Sequence, residues 1–316
     1  MGAAFSPAVM APGANPFDLS DDKSYQRWRE RKLALAPTTA AELTVDIADP
    51  CRLTANERTA LLDRITRANM AVYRSPVLDD DSELPRRLGA QLGMHRLDAN
   101  WLAGEDGVSP IAVHAGSAPA AGERGSFVPY TDKPIGWHTD GYYHPPQRRI
   151  HGMILHCVRP ALDGGSNGLL DPELAYIALR DADPAHVHAL MQADVMLIPA
   201  RTGEGGIARP AQGGPVFSVD AVDASLHMRY TARRRHIAWK DDAATSSAVS
   251  ALTALLAGAL PGIVHLRLQP GMGIVGHNVL HERSGFADDP AAPRLLYRAR
   301  FLDRVSPAAE ASWRNG

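Results

Sequence analysis

His138 and Asp140, in the run Trp137-His138-Thr139-Asp140, stand two residues apart, and a lone histidine in Leu280-His281-Glu282-Arg283 lies far along the chain. Alternate residues of a β-strand leave the same face, so this imidazole and carboxylate start from Cα atoms about 6.6 Å apart and can converge on one ion. With His281 as the third ligand, two imidazoles and one carboxylate occupy one side of a metal. The other side stays open, an arrangement suited to non-haem Fe(II) and O2 chemistry. A His-x-Asp pair alone is weak, because the chain has 13 histidines and a structural role explains one such pair equally well. Its neighbours add weight. Trp137 supplies bulk behind the strand, Gly141 permits a tight turn after the carboxylate, and Tyr142 and Tyr143 offer aromatic walls with polar tips.

The third ligand has rivals in His144, His151, His156 and His277. On a single strand, His277 and His281 share a face but sit about 13 Å apart, so both cannot bind one ion. His156 lies in an apolar run and reads as a core histidine. His281 is preferred because it precedes the β-type run Arg294-Leu295-Leu296-Tyr297-Arg298-Ala299-Arg300, whose even-numbered residues put three arginines and a leucine on one face. Guanidinium groups directed into a sandwich need an anion to meet them, and an exposed edge-strand face is the competing explanation. As a clamp, such arginines suit a carboxylate co-substrate, because each can grip it through two parallel hydrogen bonds. The run Arg233-Arg234-Arg235-His236 either adds positive charge at the mouth of the site or is a solvated face.

The elements that must position these residues can be read in part. Asp21 to Leu35 forms an amphipathic helix before Pro37, Thr54 and Glu57 make a capping box, and Ser82 to Leu92 is a further helix. Asp171-Pro172 and Asp183-Pro184 each start a helix with Asp at the cap and Pro in the first turn, and Thr245 to Leu260 is another helix. Strands are expected at 71–74, 151–158, 192–199, 216–219, 263–268, 273–281 and 294–302. Val108 to Thr131, rich in Gly, Ser, Ala and Pro, reads as an irregular loop and a candidate lid. With strands dominant from Gly136 onward, the fold class is mainly β with helical decorations, a sandwich or barrel rather than a βαβ alternation.

Bulk properties exclude other classes. The chain has 316 residues, 45% apolar and 22% charged, with a formal net charge of −2. Nothing there favours nucleic acid or an anionic membrane as a partner. Cys51 and Cys157, in no metal-ligand spacing, read as free thiols in a reducing compartment. The small, Pro-rich start has no signal-peptide pattern, and no apolar run could span a bilayer, so a cytoplasmic location is expected.

The ordered set Trp137-His138-Thr139-Asp140, then Gly164-Gly165, then Asn278-Val-Leu-His281-Glu-Arg-Ser-Gly-Phe286-Ala-Asp288 leading to Arg294-Leu-Leu-Tyr-Arg298 resembles the taurine dioxygenase-like (TauD/TfdA) family over about residues 50 to 302. The resemblance implies a double-stranded β-helix (jelly roll) over 46–305, after a tail and helix at 1–45 and before a tail at 306–316. It implies Fe(II) on His138, Asp140 and His281, and 2-oxoglutarate and O2 as co-substrates. Arg294 would hold the far carboxylate of 2-oxoglutarate, or Arg298 if the spacing slips, with Asn167 standing where many relatives have Thr. The implied reaction is hydroxylation of an unactivated C–H bond, giving succinate and CO2. Tyr142, Tyr143 and Arg300 are the candidate substrate-pocket residues, and they favour a small polar or anionic metabolite. Neither nucleic acid nor membrane is expected as a partner, and a homo-oligomer is compatible with the chain. The alternative is a cupin-like isomerase or hydrolase using the same three ligands, with Zn or Mn and without 2-oxoglutarate.

Overall fold

Two sheets face each other across the middle of the protein, in a computed structural model that describes residues 15–98, 107–113, 127–203, 206–233, 237–258 and 260–306. The larger sheet has six strands in the order Thr44–Asp46, Met70–Arg74, Met272–His277, Gly152–Arg159, Leu295–Phe301 and Val108–Ile111. The smaller has four, in the order Val264–Leu266, Asn167–Leu170, Leu280–Arg283 and Ile135–His138. Within these sheets the Thr44–Asp46 pairing with Met70–Arg74 is parallel, and the other pairings are antiparallel.

Period-two alternation decides which layer each side chain enters. Leu169 of the smaller sheet joins Leu266, Ile274, Cys157 and Leu296 in the core between the sheets. Its neighbours in the opposite phase, Trp137, Leu170 and Leu280, bury themselves against a helical layer containing Tyr176, Leu190 and Leu252. The outer face of the larger sheet, through Tyr73, Ile154, Val275 and Phe301, packs on Leu61, Ile65 and Leu88 of the helices Ala55–Ala68 and Leu84–Gln91. With Trp137 and Leu280 committed outward, His138 and His281 must turn inward. That phase is what builds the site.

Local signals set the helix ends. Thr54 accepts from the Glu57 amide while Glu57 reaches back to the Thr54 amide, a complete capping box. Asp171 and Asp183 cap the helices Pro172–Ala182 and Pro184–Leu190, each followed by proline. The helix Asp22–Ala34 docks through Tyr25 and Trp28, and its buried Lys32 pairs with Asp171 at 2.6 Å.

Three expectations need correction. The run 273–281 is two strands in different sheets, Met272–His277 and Leu280–Arg283, because Asn278 draws the chain across the gap between them. His277 therefore belongs to the larger sheet and is no rival to His281 on a common strand. Val108–Ile111 is an edge strand rather than loop, and Pro110 is tolerated there because an edge needs no donor on its free side. Residues 128–130 form a 3-10 turn, while 114–126, the body of the candidate lid, lie outside the described residues. Of 192–199, Met196–Ile198 alone is strand, because turns run up to Val195.

Candidate metal centre

His138 ends an edge strand and His281 stands directly opposite it on the neighbouring strand, with ring centroids 4.2 Å apart. Asp140 lies just past the strand end. One ligand atom from each of His138, Asp140 and His281 lies within 4.8 Å of the other two, and among the described residues this is the one such group. The His138 Nδ1 meets the Gly136 carbonyl at 3.0 Å and the His281 Nδ1 meets the Val279 carbonyl at 2.9 Å. A carbonyl can only accept, so both Nδ1 atoms carry hydrogen and both Nε2 atoms keep a lone pair for the cluster. Asp140 Oδ1 accepts from Arg298 Nη1 at 3.1 Å, whereas Oδ2 is buried without a hydrogen-bond partner. An orphaned carboxylate oxygen beside two imidazole lone pairs is a donor set that fits a divalent transition metal.

The electrostatics hold these groups in ligating form. Burial, then the neighbouring His281, pushes the His138 pKa down to about 3, and burial lowers that of His281 as well. Burial alone would raise the Asp140 pKa, but Arg298 and Arg300 outweigh it and hold the carboxyl well below the usual range. Near neutral pH the cluster is two neutral imidazoles and one carboxylate, with no proton to displace before a metal binds.

The backbone around Asp140 is held from several sides. The Asn278 amide accepts from the Asp140 N–H at 2.8 Å and donates to the carbonyls of Asp140 and Ile150, at 2.8 and 2.9 Å. Gly141 has φ +67°, and a Cβ there would sit 2.5 Å from Ile150 Cγ1, so the turn that aims the carboxylate needs glycine. Thr139 exchanges hydrogen bonds with Tyr230, and Thr231 bridges to His138, which adds a rim to the edge strand.

The other candidate residues divide into groups. Arg294 is buried, stands over the Phe286 ring at 5.0 Å, and with Asn167 lines a cavity of about 200 Å³. Burial pushes its pKa down to about 10, none of the described carboxylates lies within ion-pair distance of its guanidinium, and the Asn167 Nδ2 is buried and unpartnered. Arg298 is committed to Asp140. Arg300 is committed to Asp98 at 2.6 Å and donates to the Tyr143 hydroxyl at 2.9 Å, and Tyr142 packs edge-on against Tyr143. Arg233 comes just after Thr231 on the rim, while 234–236 lie outside the described residues. Sequence reasoning missed Asp98 and gave no role to Asn278 and Arg283, although both stand in the motif around His281. The polar pair His277-Asn278 interrupting an apolar run could have flagged Asn278, whereas nothing local marks Asp98, which gathers Arg300, Arg148 and His144 from distant segments. Arg283 donates to the carbonyls of Pro129, Thr131 and Lys133, so it stitches the turn before the His138 strand. Among the described residues no helix is long and apolar enough to cross a membrane.

Comparison with known proteins places these features in context. Residues 31–300 match the model of a family described as "Taurine catabolism dioxygenase TauD, TfdA family". A uridine-5'-phosphate dioxygenase from Streptomyces sp is 31% identical over 175 residues, 54% of this chain and 62% of that protein. A protein of the same name from Amycolatopsis sp is 31% identical over 172 residues, 53% of this chain and 60% of that protein. The chain thus spans less than two thirds of the length of either relative. The solved non-heme iron oxygenase OrfP, in complex with Fe and alpha-ketoglutaric acid, superposes with a TM-score of 0.58 at 18% identity, covering 80% of this chain and 81% of that one. An asparagine oxygenase in complex with Fe(II), 3-hydroxyasparagine and succinate gives 0.52 at 16% identity, covering 90% and 92%. The shared fold is the jelly roll expected from the sequence.

Proposed function

The chain belongs to the taurine catabolism dioxygenase TauD, TfdA family, and from that premise we propose that it is an Fe(II)- and 2-oxoglutarate-dependent dioxygenase hydroxylating a C–H bond of a small polar or anionic metabolite. One observation carries the reading: two imidazoles and a carboxylate, otherwise unable to use all their ligating atoms, converge within 4.8 Å. His138 Nε2, His281 Nε2 and Asp140 Oδ2 would hold the metal. Bound there with 2-oxoglutarate, iron(II) supplies O2 activation coupled to decarboxylation to succinate and CO2.

The remaining tasks fall to this chain's own side chains. Arg294 would take the far carboxylate of 2-oxoglutarate through two parallel charge-assisted hydrogen bonds, with the Asn167 amide as a further donor. Its lack of a counter-ion supports this over Arg298, whose guanidinium balances Asp140. Tyr142 and Tyr143 would wall the substrate side, with Arg300 acting through the Tyr143 hydroxyl it fixes. The names of the two relatives support a phosphorylated nucleoside as the first substrate to try. The test is succinate formation from 2-oxoglutarate, dependent on Fe(II) and O2 and stimulated by substrate. An iron-loaded protein without 2-oxoglutarate-dependent O2 uptake would refute the reading.

A further inference from the structure

A second pocket, open to solvent and enclosing about 410 Å³ of space with that solvent included, borders the metal cluster. Asp140 and Tyr142 line it, together with Arg149, Ser218, His227 and Arg229. Its chemistry is one-sided. Arg229 is only 9% exposed, donates to the carbonyls of Gln212, Met196 and Gly214, and still has a buried Nε with no partner. His227 is also 9% exposed, and its Nε2 is likewise buried and unpartnered. Burial lowers the proton affinity of both, and the nearby charge of Arg149 lowers each further. Among the described residues no carboxylate lies within ion-pair distance of either arginine. Of the acids nearby, Asp140 is balanced by Arg298, Asp223 pairs with Arg304 at 3.6 Å, and Asp220, which is not among the residues lining the cavity, feels Arg149 only through its charge.

Two like charges lining one polar cavity, one of them with an orphaned guanidinium N–H, are unfavourable until an anion enters. The donors number more than two carboxylate oxygens can use, and a phosphoryl group presents three strong acceptor oxygens and up to two charges. We propose that this cavity is a phosphoryl-binding subsite, which takes the phosphate of a phosphorylated metabolite oxidised at the adjacent metal cluster. Arg149 and the Nε of Arg229 supply charged hydrogen bonds and Ser218 a hydroxyl donor, while the His227 Nε2, its ring proton turned to the Ile150 backbone, accepts from a singly protonated phosphate. The proposal rests on the oxygenase reading for the molecule that carries the phosphate, while anion binding itself stands apart from turnover.

The test begins with calorimetric titration of the full chain with inorganic phosphate at constant ionic strength. Arg229 holds three carbonyls, so its loss endangers the fold. Arg149→Met, which removes a guanidinium with no ion pair, is the variant to use, with Arg149→Lys beside it. Saturable binding by wild type, weakened about tenfold or more in Arg149→Met and partly restored in Arg149→Lys, is the expected result. No binding by wild type, or equal binding by Arg149→Met, overturns the proposal even if succinate is formed. Uridine 5'-phosphate then locates the source of the phosphoryl group. Displacement of inorganic phosphate by the nucleotide but not by uridine supports a substrate phosphate. Phosphate that stays bound beside saturating nucleotide overturns that part in favour of a separate anion. Phosphate binding without any 2-oxoglutarate turnover would leave the subsite standing and remove the oxygenase.

Discussion

The side-chain amide of Asn278 clasps the peptide of Asp140 from both sides, accepting from its N–H and donating to its carbonyl, each at 2.8 Å. Asn278 is also where the chain leaves the larger sheet for the smaller, two residues before the strand that carries His281. One residue therefore ties Asp140 to the segment bearing His281. Replacing it with leucine leaves the Asp140 amide and two carbonyls buried and unpaired. Asn278→Leu should lower stability by about 1–3 kcal/mol and weaken iron binding about tenfold or more. Urea unfolding and an iron titration measure the two effects. Unchanged iron affinity in a folded Asn278→Leu protein would limit the amide to a structural role.

Arg294 and Arg298 give separable outcomes. Arg294→Met removes the guanidinium free to meet an incoming carboxylate, so KM for 2-oxoglutarate should rise by roughly 30-fold to 1000-fold, the loss of about 2–4 kcal/mol, with iron affinity retained. Arg298→Met instead unbalances Asp140 and should disturb iron binding first. The reverse pattern would move the anchor to Arg298.

Asp98 is buried and receives Arg300, Arg148 and His144. Asp98→Asn leaves the Arg300 guanidinium, 4% exposed, without its nearest counter-charge. Loss of one partner of a buried pair costs about 3–5 kcal/mol. A melting temperature within a degree or two of wild type would show that Tyr143 and Asp140 suffice to hold Arg300.

His156 makes stability depend on pH away from the metal site. Its Nδ1 stands 2.9 Å from the Tyr73 hydroxyl, and burial pushes its pKa down to about 4 from the ordinary 6.5. The folded pKa is the lower one, so between these values the unfolded chain binds the extra proton. This contribution is complete above about pH 6.5 and is lost as pH falls towards 4. The loss is about 2 kcal/mol between roughly pH 7 and roughly pH 5. His156→Gln, which can still accept from Tyr73, should show a shallower decline in urea midpoint over that range. Parallel declines would assign the acid sensitivity to the other buried histidines.

Periodicity made the inward row at Leu296, Arg298 and Arg300 legible, because alternation on a strand is a local rule, whereas Asp140 stands beyond the strand that ends at His138 and reaches the cluster through the turn at Gly141. Helix starts at Thr54, Asp171 and Asp183 were legible for the same reason, since a cap and its proline or glutamate lie within one turn. The split of 273–281 into two sheets was not. The His277-Asn278 pair sits in an otherwise apolar run that reads as one continuous strand, and the long-range bonds of Asn278 to Asp140 and Ile150 hold the crossover. Asp98 and Arg149 escaped notice likewise, since their meaning comes from partners 46 or more residues away for Asp98 and from the shared cavity for Arg149.

The most direct measurement is an anaerobic titration of the iron(II)-loaded protein with 2-oxoglutarate, monitored by visible absorption. The account requires a metal-to-ligand charge-transfer band that saturates with 2-oxoglutarate in wild type. It should be absent in His281→Ala and Asp140→Ala, and appear in Arg294→Met only at much higher 2-oxoglutarate concentration. A wild-type protein that binds iron(II) stoichiometrically at these three residues yet gives no such band would contradict it.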